Sequence, residues 1–229
     1  MSRVLELTLA LGAGLLLAFS NRGIADQPLS KDKLANKYRE LVGTLVSPNK
    51  MPITRNASGG SVKFPAGYDV RAQNRIKAAR QVLHDNFDEA LPFLIDAIDD
   101  DHYCMTIDWA EGDAYYNYSV GRVCRDVIAS KLEVYRNEIK FMGPQHWHRY
   151  DYGPITKEWW RARTGRSLAE LQVEAIDWAI EQRKAEPKDK VREDRLNEIA
   201  DLQKLRNEIA KSGKPAKPSG MLPMVTSDR

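Results

Sequence analysis

The chain has 229 residues and carries 35 Lys and Arg against 32 Asp and Glu, a formal net charge of +3 with both signs interspersed. That balance, with no basic face of the kind nucleic-acid binding requires, excludes the electrostatic footprint of a nucleic-acid-binding protein. The apolar content of 42% is ordinary for a globular domain, and two cysteines are too few for a disulfide-dense scaffold.

The chain begins with Arg3 and an uncharged apolar run from Leu7 to Phe19. Thirteen residues are too few to cross a bilayer, which takes about 20 apolar residues, but they fit the apolar region of a secretory signal. Gly23-Ile24-Ala25 offers small residues before Asp26 as a cleavage site, with Ala18-Phe19-Ser20 as an alternative. Residues 1–25 are therefore expected to be a signal peptide, and the mature protein to be exported: periplasmic, in the cell envelope or extracellular. Glu6 and Arg22 fit that pattern less well, and an uncleaved anchor is the competing reading. Without the signal, no stable membrane insertion is expected.

Residues 26–67 read as an N-terminal helix and an irregular linker. Ser30 caps a predicted helix to about Leu45, with Leu34, Tyr38, Leu41 and Leu45 on one side. Pro48, Pro52, Gly59, Gly60, Pro65 and Gly67 then predict a connector without regular structure. Residues 68–186 form the predicted main body. Asp69 caps a helix with the stripe Ala72, Ile76, Ala79 and Leu83, and Asn86-Phe87 marks a turn. Glu89 to about Ile98 is a second, mostly buried helix with Pro92 near its start, where a missing N–H is tolerated.

The segment Ala78-Ala79-Arg80-Gln81-Val82-Leu83, followed by Glu89-Ala90-Leu91-Pro92-Phe93-Leu94-Ile95-Asp96-Ala97-Ile98-Asp99-Asp100, resembles a HEAT-type repeat. Ser119-Val120-Gly121-Arg122-Val123-Cys124 is similar to the opening of a following unit. The resemblance covers about residues 70–134 and implies antiparallel helical hairpins stacked as a short solenoid. Residues 101–118 depart from it, being longer than an inter-repeat turn. Within them, Tyr103–Trp109 and Tyr115–Tyr118 are β-prone around a turn at Ala110–Asp113, which predicts an inserted β-hairpin.

A helix is expected from Ser119 to about Val134, continuing to Met142, then an aromatic loop to Pro154 and a helix from Lys157 to Arg163. Ser167 and Glu170 form a capping box for a helix to about Gln182, with Leu168, Leu171, Ala175, Trp178 and Ala179 inward. Residues 187–229 read as a charged helix and a disordered tail. The helix, about 189–211, carries the stripe Leu196, Ile199, Leu202, Leu205 and Ile209, suited to docking on the body or to self-association. The expected class is all-α with one inserted hairpin.

The candidate binding residues are aromatic: Trp109, Tyr115, Tyr116 and Tyr118 in the hairpin, and Trp147 and Tyr150 in the loop. Aromatic side chains bring contact area at low entropic cost, and a protein or glycan is the expected partner. His146, His148 and Asp151 are weak metal candidates, because no fourth ligand completes a zinc pattern. Asp99–Asp101 with Asp108, Glu111 and Asp113 read as a solvated acidic turn rather than a calcium loop. Cys104 and Cys124 are a possible disulfide closing a loop of about 20 residues, worth roughly 3 kcal/mol in the chain-entropy model. A buried free thiol at Cys124 is the equal alternative. Asn56 and Asn117 open glycosylation sequons. No catalytic residue and no cofactor is expected. The expected role is a non-catalytic interaction or scaffold module. The alternatives are an exported hydrolase or metal-dependent enzyme using Asp/Glu with His146 or His148, and a structural cell-envelope component.

Overall fold

The structure, a computed structural model, describes residues 30–55, 60–109, 114–134, 155–185 and 192–217. Residues 1–25 (expected as a signal peptide), Asn56, the expected turn residues 110–113 and all of His146, Trp147, His148, Tyr150 and Asp151 lie outside these. Among the described residues the chain folds into seven helices and two small antiparallel hairpins. They run α1 (Lys31–Gly43), β1 (Ile53–Arg55), β2 (Ser61–Lys63), α2 (Val70–Asp85), α3 (Phe87–Asp96), β3 (Tyr103–Trp109) and β4 (Ala114–Ser119). Then follow α4 (Val120–Leu132), α5 (Lys157–Arg161), α6 (Leu168–Ala185) and α7 (Arg192–Ser212).

The caps anticipated at Ser30, Asp69 and Ser167 form, and Ser119 supplies another. Asp69 accepts from the amides of Arg71 and Ala72 at the start of α2, and Ser119 accepts from Arg122 at the start of α4. At α6 the Ser167 hydroxyl accepts from Glu170 N–H while the Glu170 carboxylate accepts from Ser167 N–H at 2.7 Å. These bonds satisfy amides that the helix itself leaves unpaired.

The α2 stripe Ala72, Ile76, Ala79 and Leu83 is buried, and α3 adds Phe87, Ala90, Leu91, Leu94 and Ile95. On α1, Tyr38 is buried and Leu34 and Leu41 partly so, and Leu45, expected on this helix, is buried just beyond its end at Gly43. Tyr38 stacks on Phe93 with ring centroids 5.9 Å apart. Pro92 lies inside α3 rather than in its first turn, because Asn86 ends α2 and starts α3 without a loop. The Asp88 carbonyl thereby loses its helical donor.

The all-α expectation needs a correction. The Pro- and Gly-rich linker holds a second hairpin, with Ile53 opposite Lys63 and Arg55 opposite Ser61. Its prolines and glycines fall outside the strands: Pro52 precedes β1, Gly59-Gly60 lies between them, and Pro65 follows β2. Three-residue strands fit between them, and proline costs no ladder bond at those places.

β3 is buried on both faces, since Cys104, Met105, Thr106 and Ile107 are all at most 1% exposed. Helices α2 and α4 pack on the β3–β4 hairpin, and β1 and β2 pack on β4. A two-stranded ribbon, marginal alone in water, is thereby held inside the protein.

α6 and α7 pack together. Leu202 and Ile209 are buried, Ile199 and Leu205 partly buried, and Leu196 exposed, so the C-terminal stripe docks on the body. The ion pair Arg183–Glu198 lies between these helices with both side chains nearly buried. After Gly213, whose positive φ of 63° ends α7, residues 214–217 lie against α6. Gln172 accepts from Ala216 N–H at 2.9 Å and donates to the carbonyls of Ala216 and Lys131. The tail thus has an ordered beginning; residues 218–229 lie outside the described set.

Candidate functional site

The register of the β3–β4 hairpin decides how its aromatic side chains are presented. Met105 pairs with Tyr118 and Ile107 with Tyr116 on one face; Thr106 pairs with Asn117 and Asp108 with Tyr115 on the other. Since successive side chains alternate, the three tyrosines do not share one face. Tyr118 is half-buried against the core and carries the Arg122 guanidinium 5.4 Å above its ring. Tyr115 is half-buried. Tyr116 is 44% exposed. Trp109 ends β3 opposite Ala114. Of the candidate aromatic residues whose side chains are described, Tyr116 alone is exposed.

The other face carries a hydrogen-bonded relay that sequence reading missed. Asn117 Nδ2 donates to the Pro52 carbonyl at 2.8 Å, so its Oδ1 accepts the Thr106 hydroxyl proton, also at 2.8 Å. Thr106 has one proton to give, so it accepts from Tyr103 at 2.9 Å, and Tyr103 in turn accepts from Tyr68 at 2.9 Å. The direction runs Tyr68, Tyr103, Thr106, Asn117, Pro52. It ties the linker, both strands of the hairpin and the approach to β1 into one network. Burial raises the phenol pKa of Tyr103, and burial with the Tyr103 hydrogen bond raises that of Tyr68. Both stay protonated, as the relay requires. The sequon at Asn117 is therefore structurally committed: its Nδ2 donates to the Pro52 carbonyl from a half-buried site.

A second set of bonds ties Ser47 and Asn49, just after α1, to α2 and β3. Ser47 N–H donates to the Tyr103 carbonyl, and Gln73 Nε2 donates to Ser47 Oγ at 2.8 Å. Asn49 brackets the backbone of Asp69, accepting its N–H at 2.7 Å and donating to its carbonyl at 2.9 Å.

Between α2 and α4 lies a buried basic group, with Arg80, His84 and Lys131 all less than 10% exposed. Arg80 Nη1 approaches Met105 Sδ at 3.5 Å. His84 Nδ1 lies 3.2 Å from Asp85 Oδ1, while its buried Nε2 has no hydrogen-bond partner among the described residues. Desolvation, opposed by the Asp85 bond, holds His84 below its ordinary pKa, and the Lys131 and Arg80 charges act in the same direction as burial. At neutral pH the ring is an uncharged imidazole whose Nδ1–H donates to Asp85.

Cys104 and Cys124 are both free thiols at 0% exposure. Burial raises both pKa values, that of Cys124 up to about 12, so neither is a ready nucleophile. Asp100, Asp101 and His102 bring ligand atoms within 4.8 Å of one another. Asp100 Oδ1 accepts from both the His102 amide at 2.9 Å and the His102 ring at 2.7 Å, forming the turn between α3 and β3. Asp99 pairs with Arg125 and Lys157. These acids shape and solvate a turn.

An open groove of about 380 Å³ runs between α6 and α7, lined by Asp177, Ile180, Glu181, Lys184, Gln203, Arg206 and Asn207. Its charges are matched internally, Arg206 on Asp177 and Lys184 on Glu181. No described helix is long and apolar enough to cross a membrane. No protein-family model matches the chain, and comparison with curated proteins and with solved structures finds no match.

Proposed function

We propose that this chain is an exported, non-catalytic interaction or scaffold module, built on HEAT-like helical pairs, that presents the rim of its β3–β4 hairpin to a protein or glycan partner. The observation that carries this reading is Tyr116: an exposed aromatic side chain whose neighbouring strand is buried on both faces. A rigid backbone beneath an exposed tyrosine lowers the ordering cost of binding. The buried thiols and the protonated tyrosines fit a structural interior, and the helical stripes of α2, α3 and α4 fit the proposed repeat resemblance.

The test is a photoreactive side chain at position 116, compared with one at Glu208 on α7, in cells that export the protein. The proposal predicts a discrete adduct from position 116, weakened by Trp109→Ala, and none from position 208. Equal labelling at both positions, or none at either, would remove the hairpin from the reading. Deletion of the hairpin is unsuitable, because β3 is part of the core.

A further inference from the structure

The exposed large apolar side chains concentrate in residues 46–70: Val46, Met51, Ile53, Phe64 and Val70. The β1–β2 register gives that concentration a direction. Thr54 and Val62 pair on the inward, half-buried face, above β4. Ile53, Lys63, Arg55 and Ser61 pair on the opposite face, and all four are exposed. Met51, two residues before Ile53, is 54% exposed and Ile53 is 63% exposed. Phe64, beside Lys63, rests its ring on Tyr68 with centroids 4.7 Å apart.

The charges of this segment have one sign. From Val46 to Tyr68 the chain contains Lys50, Arg55 and Lys63 and no Asp or Glu. All three cations are exposed and carry no ion pair among the described residues. The next acid along the chain, Asp69, is occupied by the α2 amides and by Arg75. The near-zero net charge of the whole chain hides this local excess.

We infer that the outward face of the β1–β2 hairpin is a membrane-surface attachment site for anionic phospholipid. Met51 and Ile53 would enter the headgroup boundary while Arg55 and Lys63 meet phosphates, with Lys50 and Phe64 at its edge. Apolar side chains alternating with long cations on one rigid face suit that boundary, where stems lie in the apolar layer and charged heads reach water. An acidic protein or a nucleic acid would satisfy the cations but leave isolated aliphatic side chains without a partner. Anionic headgroups satisfy both. The inference goes beyond the proposed partner surface and does not depend on Tyr116.

The test uses the full chain carrying Ile53→Cys, labelled with an environment-sensitive fluorophore; the buried Cys104 and Cys124 are protected from the reagent. A second labelled protein carries Asn207→Cys. Phosphatidylglycerol-containing vesicles should brighten the label at position 53, phosphatidylcholine vesicles should not, and high salt should reverse the change. The label at 207 should stay dark. Arg55→Glu with Lys63→Glu should weaken the position-53 response by at least ~30-fold, the effect expected from losing two surface cations. A dark label at 53 while the protein sediments with vesicles would place attachment elsewhere, such as Leu7–Phe19, and overturn the inference. So would absence of any association. Tight binding of soluble polyglutamate with no brightening on vesicles would assign the face to an acidic polymer instead.

Discussion

Gly121 sits where the end of α3, the start of β3 and the first turn of α4 meet. A Cβ there would lie 2.2 Å from the Ile98 carbonyl oxygen, 2.7 Å from its carbon and 3.0 Å from the Asp100 oxygen. All three are backbone atoms, so no side-chain rotation relieves the contact. Separation to ordinary van der Waals distance takes a shift of about 1 Å. That shift strains the two bonds holding the junction, Gly121 N–H to Asp100 O at 2.8 Å and Val120 N–H to His102 O at 2.9 Å. Overpacking of this kind costs about 1–3 kcal/mol, and each weakened bond adds about 1 kcal/mol. Against this, alanine is the better helix former by about 1 kcal/mol. The expected net loss for Gly121→Ala is therefore about 2–4 kcal/mol, a fall in melting temperature of roughly 6–12 °C for a chain of this size. A Cβ added to Gly43, the last residue of α1, would meet nothing within 4 Å, so Gly43→Ala should change stability by less than about 1 kcal/mol. Urea titrations of both variants, followed by circular dichroism, check the pair. A Gly121→Ala protein as stable as the parent would refute the packing of α4 against the α3–β3 turn.

Thr106→Val keeps the shape of the side chain but removes the middle of the relay, leaving Asn117 Oδ1 without its donor and the Tyr103 hydroxyl proton without its acceptor. It should cost about 1–3 kcal/mol, and pairing it with Tyr103→Phe should cost less than the sum of the two single changes in a double-mutant cycle. His84 has a folded-state pKa lowered by burial, so the unfolded chain binds its proton more readily. Its contribution is complete above about pH 6.5 and is lost as pH falls through the lower folded value. His84→Gln should flatten that part of the stability profile, which parallel urea titrations across pH 5–7.5 would reveal. Glu198→Gln leaves the Arg183 charge nearly buried and should cost about 3 kcal/mol, whereas Arg183→Met with Glu198→Leu should recover most of it. Equal losses in the single and double variants would contradict the buried pairing.

Local features of this chain were legible and long-range ones were not. The caps Asp69, Ser119 and Ser167–Glu170 use residues two or three apart, and the α2 stripe needs only a 3.6-residue period, so each is written in one window of sequence. The β3–β4 hairpin was readable from its β-branched and aromatic residues and its acidic turn. Its burial on both faces was not, because that depends on β1 and β2 lying across it. Those strands are three residues each, too short to show alternation among the surrounding prolines and glycines. Alternation within β3–β4 did imply that Tyr115 and Tyr116 face opposite ways, and that signal separates Tyr116 from its neighbours. The relay joins Tyr68 to Tyr103 and Thr106 to Asn117, and Gln172 reaches Lys131 and Ala216, 41 and 44 residues away; no motif announces such pairs. The cationic face of β1–β2 was obscured because charge was summed over the whole chain.

Amide hydrogen exchange across residues 103–132 tests the central claim most directly: that strand β3 belongs to the core of a helical scaffold instead of standing out from it. The account predicts that the amides of Met105 to Ile107 exchange as slowly as those of α4, in a single cooperative unit. Exchange of the hairpin at the rate of an unfolded peptide, while α4 remains protected, would contradict it.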